Sequence, residues 1–192
     1  DALIYYCLIR HFKPKKIIEI GSGWSTKIAG LACLKNKNTE LVSIEPYPQV
    51  FLTKKFPGFD KLIPNKVQEI DISLFKSLGK NDILFIDSSH TVKIGGDVNF
   101  ILFRVIPNLK KGVLVHFHDI FLPYNYPKDW VKKEYRFWNE QYLVQSFLMY
   151  NNSFKILFAN SFMSKKYFEI YKQIFPFSPH WEGASFWIKK IK

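Results

Sequence analysis

A doubly wound, mostly parallel α/β sheet is the fold class this sequence predicts, on three observations. Short apolar runs rich in β-branched residues alternate with helix-compatible segments from residue 15 to residue 117, the pattern that strands and crossover helices produce. The first run leads directly into a Gly-X-Gly turn, Gly21-Ser22-Gly23. An acid stands at or beside the end of five successive runs: Glu19, Glu45, Asp71, Asp87 and Asp119. Ligands of such sheets sit beyond the carboxyl ends of the strands, so acids repeated there predict a site.

Residues 2–12 place Ile4, Cys7, Leu8 and Phe12 on one helical face. Residues 15–20 suit a buried strand, because Ile17, Ile18 and Ile20 pack well on a pleated surface. Gly21 and Gly23 allow close approach of a ligand to bare backbone. Ser25 or Thr26 is placed to cap a helix over 27–34. A second strand over 41–44 ends at Glu45 and is broken by Pro46 and Pro48; a short helix over 49–56 follows. Residues 66–70 read as a third strand, followed by Asp71, and 82–86 as a fourth, ending at Asp87. Residues 98–106 suit a helix, and 112–117 a fifth strand ending at His118-Asp119. Residues 120–150 form an aromatic-rich insertion: a loop through Pro123, Tyr124, Tyr126 and Pro127, then a helix over 131–150 carrying Trp138, Tyr142 and Phe147. Strands over 154–158 and 185–188 close the chain, with a helix near 164–174 between them. The whole of 1–192 is read as one domain, long enough to bury a core.

The net charge of +12 invites a nucleic-acid partner. Two observations weigh against it. The excess is not localised, since residues 1–127 (17 basic, 11 acidic) and 128–192 (11 basic, 5 acidic) each carry +6. Only Arg10, Arg104 and Arg136 are arginines; the other 25 cations are lysines, which lack the planar fork that suits phosphate and base recognition. No run of eighteen apolar residues predicts a membrane span. No signal-peptide pattern opens the chain, and Cys7 and Cys33 read as buried free thiols without metal spacing, so a cytoplasmic protein is expected.

Each acid admits a role. The turn lacks the third glycine of a dinucleotide fingerprint, Thr26 standing in its place, while Glu19 before it suits a ligand amine better than a pyrophosphate. The backbone of Gly21, Ser22, Gly23 and Ser25 offers N–H groups to polar ligand atoms. Glu45, 24 residues after Gly21, is placed to accept both hydroxyls of a ribose. Asp71 could accept from an adenine amino group or simply cap a helix starting near Ser73. Asp87 and Asp119 end adjacent strands and could hold a hard divalent cation through oxygen ligands. His90, three residues after Asp87, could take a proton in the same cleft. His116 and His118 share a strand face. His11 and His180 read as structural.

The segments Glu19-Ile-Gly-Ser-Gly-Trp-Ser-Thr, Ile86-Asp-Ser-Ser-His, 109–121 and Trp138-Asn-Glu-Gln-Tyr together resemble the class I S-adenosylmethionine (SAM) methyltransferases. The likeness is to a subgroup that includes metal-dependent sugar O-methyltransferases of macrolide biosynthesis. It implies a Rossmann-like fold and SAM bound by Glu19, Gly21, Ser22, Gly23, Ser25, Glu45, Asp71 and Asp87. It further implies magnesium at Asp87 and Asp119, and His90 as the base. The expected reaction is methyl transfer to a small-molecule hydroxyl, with Glu140 and Gln141 facing the substrate and 120–150 as a lid. An RNA methyltransferase and a non-catalytic SAM-binding module are the alternative readings. The oligomeric state is not legible.

Overall fold

The computed structural model describes residues 1–54, 56–178 and 182–192; His180 lies outside them. Seven strands make one sheet in the order β3-β2-β1-β4-β5-β7-β6. They are β1 (Lys16–Ile20), β2 (Glu40–Ile44), β3 (Lys61–Ile63), β4 (Ile83–Ile86), β5 (Leu114–Phe117), β6 (Phe154–Ala159) and β7 (Phe186–Lys190). The first five pair in parallel, and β7 runs antiparallel between β5 and β6. The strand order reverses between β1 and β4, and the crevice of a doubly wound sheet opens at such a switch point.

The helices are α1 (Ala2–Phe12), α2 (Trp24–Asn36), α3 (Val50–Thr53), α4 (Ile72–Lys76), α5 (Asp97–Phe100), α6 (Lys128–Lys132), α7 (Glu140–Leu148), α8 (Asn160–Lys166) and α9 (Phe168–Ile174). The two-residue period of the strands sorts the core into two layers. Ile18, Ile20, Leu84, Ile86, Val115 and Phe117 pack with Phe75 of α4, Val98 of α5 and Val144 of α7. Ile17, Ile83, Phe85, Leu114 and Trp187 pack with Tyr5 and Ile9 of α1 and with Ala29, Ala32 and Cys33 of α2. Helical backbone continues from α5 through a π turn at Ile101–Val105 to Asn108.

Four expectations are corrected. The third strand is Lys61–Ile63, not 66–70: Pro64 ends it, and Val67–Glu69 coil into a 3₁₀ turn. Its approach is anchored by Asp60, whose carboxylate accepts from the Leu41 N–H at 2.8 Å. The helix after the glycine turn starts at Trp24, because Gly23 is its cap: the Gly23 N–H donates to Thr26 Oγ1 at 3.2 Å. The helix expected over 131–150 is two helices, α6 and α7, separated by a turn with Tyr135 at φ 56°. Arg136 in that turn lies 4.5 Å from the Trp130 ring and 5.2 Å from the Trp138 ring, a cation over two aromatic faces. Finally, Tyr5 and Ile9 rather than Cys7 turn inward from α1; Cys7 is an exposed thiol, while Cys33 is buried.

Phe75 is fully buried beneath the crevice layer. Phe75→Ala is expected to lower unfolding free energy by about 3–5 kcal/mol, the usual cost of removing a buried phenylalanine, read as a shift of the urea midpoint.

Candidate active site

An open cavity of about 520 Å³ lies over the ends of β1, β2 and β4 and is lined by Gly21, Glu45 and Asp87, among others. Gly21 has φ +81°, and a Cβ there would overlap the Asp87 carbonyl oxygen. Only glycine lets the chain leave β1 this close to the end of β4. Glu45 is held at the rim: Oε2 accepts from the Ser22 N–H at 3.3 Å and Oε1 from the Tyr47 N–H at 2.8 Å. The Ser22 hydroxyl is buried with no hydrogen-bond partner. Gly23 is extended and faces open space.

Three of the expected cofactor residues lie elsewhere. Glu19 is fully buried under the sheet, where it accepts from Tyr5 Oη at 3.0 Å and Ser43 Oγ at 2.9 Å; strand alternation turns it away from the cavity. Asp71 is exposed and caps α4, accepting from the Ser73 N–H at 2.7 Å, so the capping role replaces the adenine role. Ser25 lines a second, smaller cavity on the far side of the glycine turn. In place of Asp71, the large cavity has Lys66, Val67 and Gln68 along one wall and Gly95, Gly96 and Asp97 along another. The Gly95-Gly96 pair was the one available sequence signal for that second wall. Asp97 fastens the loop after β4, accepting from the Ser89 N–H at 2.8 Å and the Ser89 hydroxyl at 2.6 Å.

At one edge of this cavity five titratable groups converge. His90 Nε2 lies 3.2 Å from Asp87 Oδ1 and 3.9 Å from Asp119 Oδ2, and His90 Nδ1 lies 2.9 Å from Glu140 Oε2. His118 Nδ1 lies 3.3 Å from Asp119 Oδ2 and 3.8 Å from Asp87 Oδ1. His90 and Asp119 both adopt left-handed backbone, with φ 56° and 54°. For non-glycine residues that costs roughly 1–2 kcal/mol each, and such strain clusters where function requires it. Burial alone would depress the His90 pKa; hydrogen bonds that its ring N–H groups donate to Asp87 and Glu140 reverse this and lift it to about 10. The two carboxylates therefore favour the protonated form of His90. Burial likewise opposes the ionised form of Asp87, but His90 and His118 hold its carboxyl below the ordinary range. His116, buried one turn of the strand below, stays neutral.

Glu140 and Gln141 do not face the open cavity. Glu140 is 1 % exposed, accepts from the Ser88 hydroxyl at 2.9 Å as well as from His90, and thereby ties α7 to the loop after β4. The Asn139 and Glu140 N–H groups both donate to the His90 carbonyl, and Asn139 Oδ1 accepts from the Val92 N–H at 2.6 Å. Gln141 accepts from the Phe121 N–H at 2.7 Å and donates to the Tyr124 carbonyl at 3.0 Å, fixing the insertion. The Trp138 ring covers His90 at 4.2 Å between centroids.

The cluster has the donor chemistry for a divalent cation. Two carboxylates and one imidazole converge, with His118 Nδ1 buried 3.3 Å from Asp119 Oδ2. Asp1, His118 and Asp119 also present ligand atoms within 4.8 Å of one another. His118 is thus a donor that the sequence reading left without a role.

Comparison with known proteins gives the class. The family described as "Methyltransferase domain" matches residues 18–120, just over half of the chain, from within β1 to beyond β5. The protein belongs to this family, and its sheet is that of a class I SAM-dependent methyltransferase. An uncharacterized protein of Archaeoglobus fulgidus is 41 % identical over 87 residues, a match covering 43 % of this chain and 39 % of that relative's length. Among solved structures, the O-methyltransferase TomG of Streptomyces achromogenes, involved in tomaymycin synthesis and crystallised with SAM, superposes with a TM-score of 0.56 at 11 % identity, over 100 % of this chain and 79 % of its own. The O-methyltransferase of Bacillus cereus, solved with S-adenosylhomocysteine (SAH), gives 0.55 at 9 % identity, over 100 % and 80 %. These likenesses show the shared fold. No helix of the described residues is long and apolar enough to cross a membrane.

The buried Glu19 carboxyl has its pKa pushed up to about 7, mainly by burial, against the lowering effect of its hydrogen bonds. Between its ordinary value of 4.5 and about 7 the folded state holds a proton that the unfolded state has lost. Stability from this group is present below pH 4.5 and falls as pH rises through 7, by at most about 1.4 kcal/mol per pH unit. Glu19→Gln is expected to remove this slope, read from urea titrations at pH 4.5, 6 and 7.5.

Proposed function

We propose that this chain transfers the sulfonium methyl of SAM to a hydroxyl oxygen of a small-molecule acceptor. The observation that carries the reading is the adjacency of a nucleoside-sized cavity, bounded by Gly21 and Glu45, to a carboxylate–imidazole cluster that shares Asp87 with it. In this reading Glu45 exchanges its backbone partners for the ribose hydroxyls. The backbone of Gly21, Ser22 and Gly23 lies along the methionine portion, and the unpartnered Ser22 hydroxyl gains a ligand atom. The wall at 66–68 takes the base.

The acceptor oxygen attacks the methyl carbon in line; the O–C bond forms as the C–S bond breaks, and its electron pair returns to sulfur to give neutral SAH. The hydroxyl proton passes to His90 Nε2, which can take it only after His90 has released its own proton to solvent. Glu140 holds the imidazole so that Nε2 faces the cleft. The charge on His90 is maintained by Asp87, so anything that engages the Asp87 carboxylate lowers the His90 pKa toward the range in which it accepts a proton. Asp87, Asp119 and His118 are the residues that would hold a magnesium-type ion, which would supply positive charge beside the developing alkoxide. The protein's main contribution is positioning and water exclusion, with Trp138 and the aromatic insertion as the cover.

Calorimetry with SAH tests the reading. Wild type is expected to bind, with Glu45→Ala weaker by about tenfold or more, because hydrogen bonds to a charged acceptor contribute ~1.5–3 kcal/mol. His90→Ala is expected to keep SAH affinity but to lose about 10²–10⁴ in turnover of labelled SAM against a panel of hydroxyl acceptors. No SAM or SAH binding, with Glu45→Ala changing nothing, sinks the proposal.

A further inference from the structure

The second cavity, about 210 Å³ in volume, is lined by a different set of residues from the cavity at Gly21 and Glu45. It lies on the α1–α2 side of the sheet. Its walls are Tyr5 from α1, Trp24 and Ile28 from α2, Phe85 from β4, His116 from β5 and His118 beyond it. Tyr5 stacks on Phe85 at 4.5 Å, and Phe85 stacks on His116 at 4.2 Å, so the floor is a continuous set of rings. His116 is 1 % exposed, and its Nδ1 has no hydrogen-bond partner. Such an orphan inside an aromatic wall is costly unless a ligand or water satisfies it. The two cavities meet at the catalytic cluster: Asp87 borders the larger, His118 borders the smaller, and their side chains are 3.8 Å apart.

We infer that this second cavity is the acceptor subsite and selects a single flat, uncharged ring carrying a hydroxyl, excluding sugars and nucleosides. This rests on the methyl-transfer reading above. Size is the first argument: an apolar cavity of about 150 Å³ holds a benzene molecule, so 210 Å³ holds one substituted ring and no nucleoside. Chemistry is the second. Aromatic walls stack well on an aromatic ring. A sugar would bury hydroxyls around its whole edge, and each left unpaired costs affinity. Among the lining residues only Ser25, the two imidazoles, Asp1, the Trp24 indole N–H and the Tyr5 hydroxyl are polar, and the last is already committed to Glu19. Among the described residues no lysine or arginine lines the cavity, and the Asp1 carboxylate there disfavours a ring carboxylate. A polar substituent on the ring gives His116 Nδ1 the partner it lacks, while the reacting hydroxyl lies toward His118 and Asp87. Tyr5, Trp24 and His116 are then specificity residues, and the resemblance to sugar O-methyltransferases does not extend to the acceptor.

The test titrates the full chain with phenol, 1,2-dihydroxybenzene, methyl β-glucoside and uridine, each with and without saturating SAH, by calorimetry and saturation-transfer NMR. The two phenols are expected to bind and the other two not to. Ile28→Trp, which fills the cavity from α2, is expected to weaken phenol binding by about tenfold or more while SAH affinity stays within about twofold. Trp24 is 69 % exposed, so Trp24→Ala removes a wall without loss of core and keeps the test decisive should Ile28→Trp fail to fold; it is expected to weaken phenol binding by about threefold or more. Equal binding of glucoside or uridine, no phenol binding, or wild-type phenol affinity in a folded variant overturns the inference. Failure of SAH to bind overturns the methyl-transfer reading instead, and the titrations without SAH still decide the selectivity of the cavity.

Discussion

The chain leaves β1 at Gly21 in backbone contact with the first residue beyond β4, and the rest of the site depends on this approach. Its positive φ and missing Cβ let the Gly21-Ser22-Gly23 turn lie against the Asp87 carbonyl. The turn therefore bends across the switch point of the sheet, with a cavity on each side of it. Ser22 reaches Glu45 on one neighbour strand, and Asp87 stands at the end of the other. Any side chain at Gly21 would push β1 and β4 apart where their ends define both cavities.

Around that turn, polar groups hold the loops rather than the core. The segment after β4 is fastened twice, by Asp97 from below and by Asn139 and Glu140 from the insertion. This bracing holds His90 and Asp119 in left-handed backbone beside one another. Glu140 has a buried carboxylate paired with His90. The pair keeps the imidazole oriented, and the Trp138 ring closes over it.

The sheet was legible because its signal is periodic: β-branched runs ending in acids predicted β1, β2, β4 and β5 to within two residues. The third strand was not. Its three residues at the sheet edge carry too little apolar pattern, and the neighbouring Val67–Ile70 run imitates a strand while forming a 3₁₀ turn. Gly21, Glu45, Asp87, His90 and Asp119, expected together because strand ends converge in this fold, do lie around one cavity edge. Glu19 and Asp71 were misplaced for physical reasons: strand alternation turns Glu19 beneath the sheet, and Asp71 finds a nearer partner in the Ser73 amide. The roles of His118, Glu140 and Gln141 depend on contacts across dozens of residues, which no local spacing encodes. The same is true of the aromatic cavity, whose walls come from two helices and two strands.

The place of β7 has a consequence for how the sheet is assembled on the ribosome. Residues 186–190 emerge after all the other strands, yet they occupy an interior position between β5 and β6. Until they are made, β5 presents an open hydrogen-bonding edge beside His116 and Phe117, and β6 has no strand to join. The nascent chain can thus complete its β3-β2-β1-β4-β5 half while still carrying an unpaired apolar edge, a ready template for association with other chains. Insertion of the last strand both caps that edge and brings Trp187 against His116, so a wall residue of the aromatic cavity gains its backing only once β7 is in place.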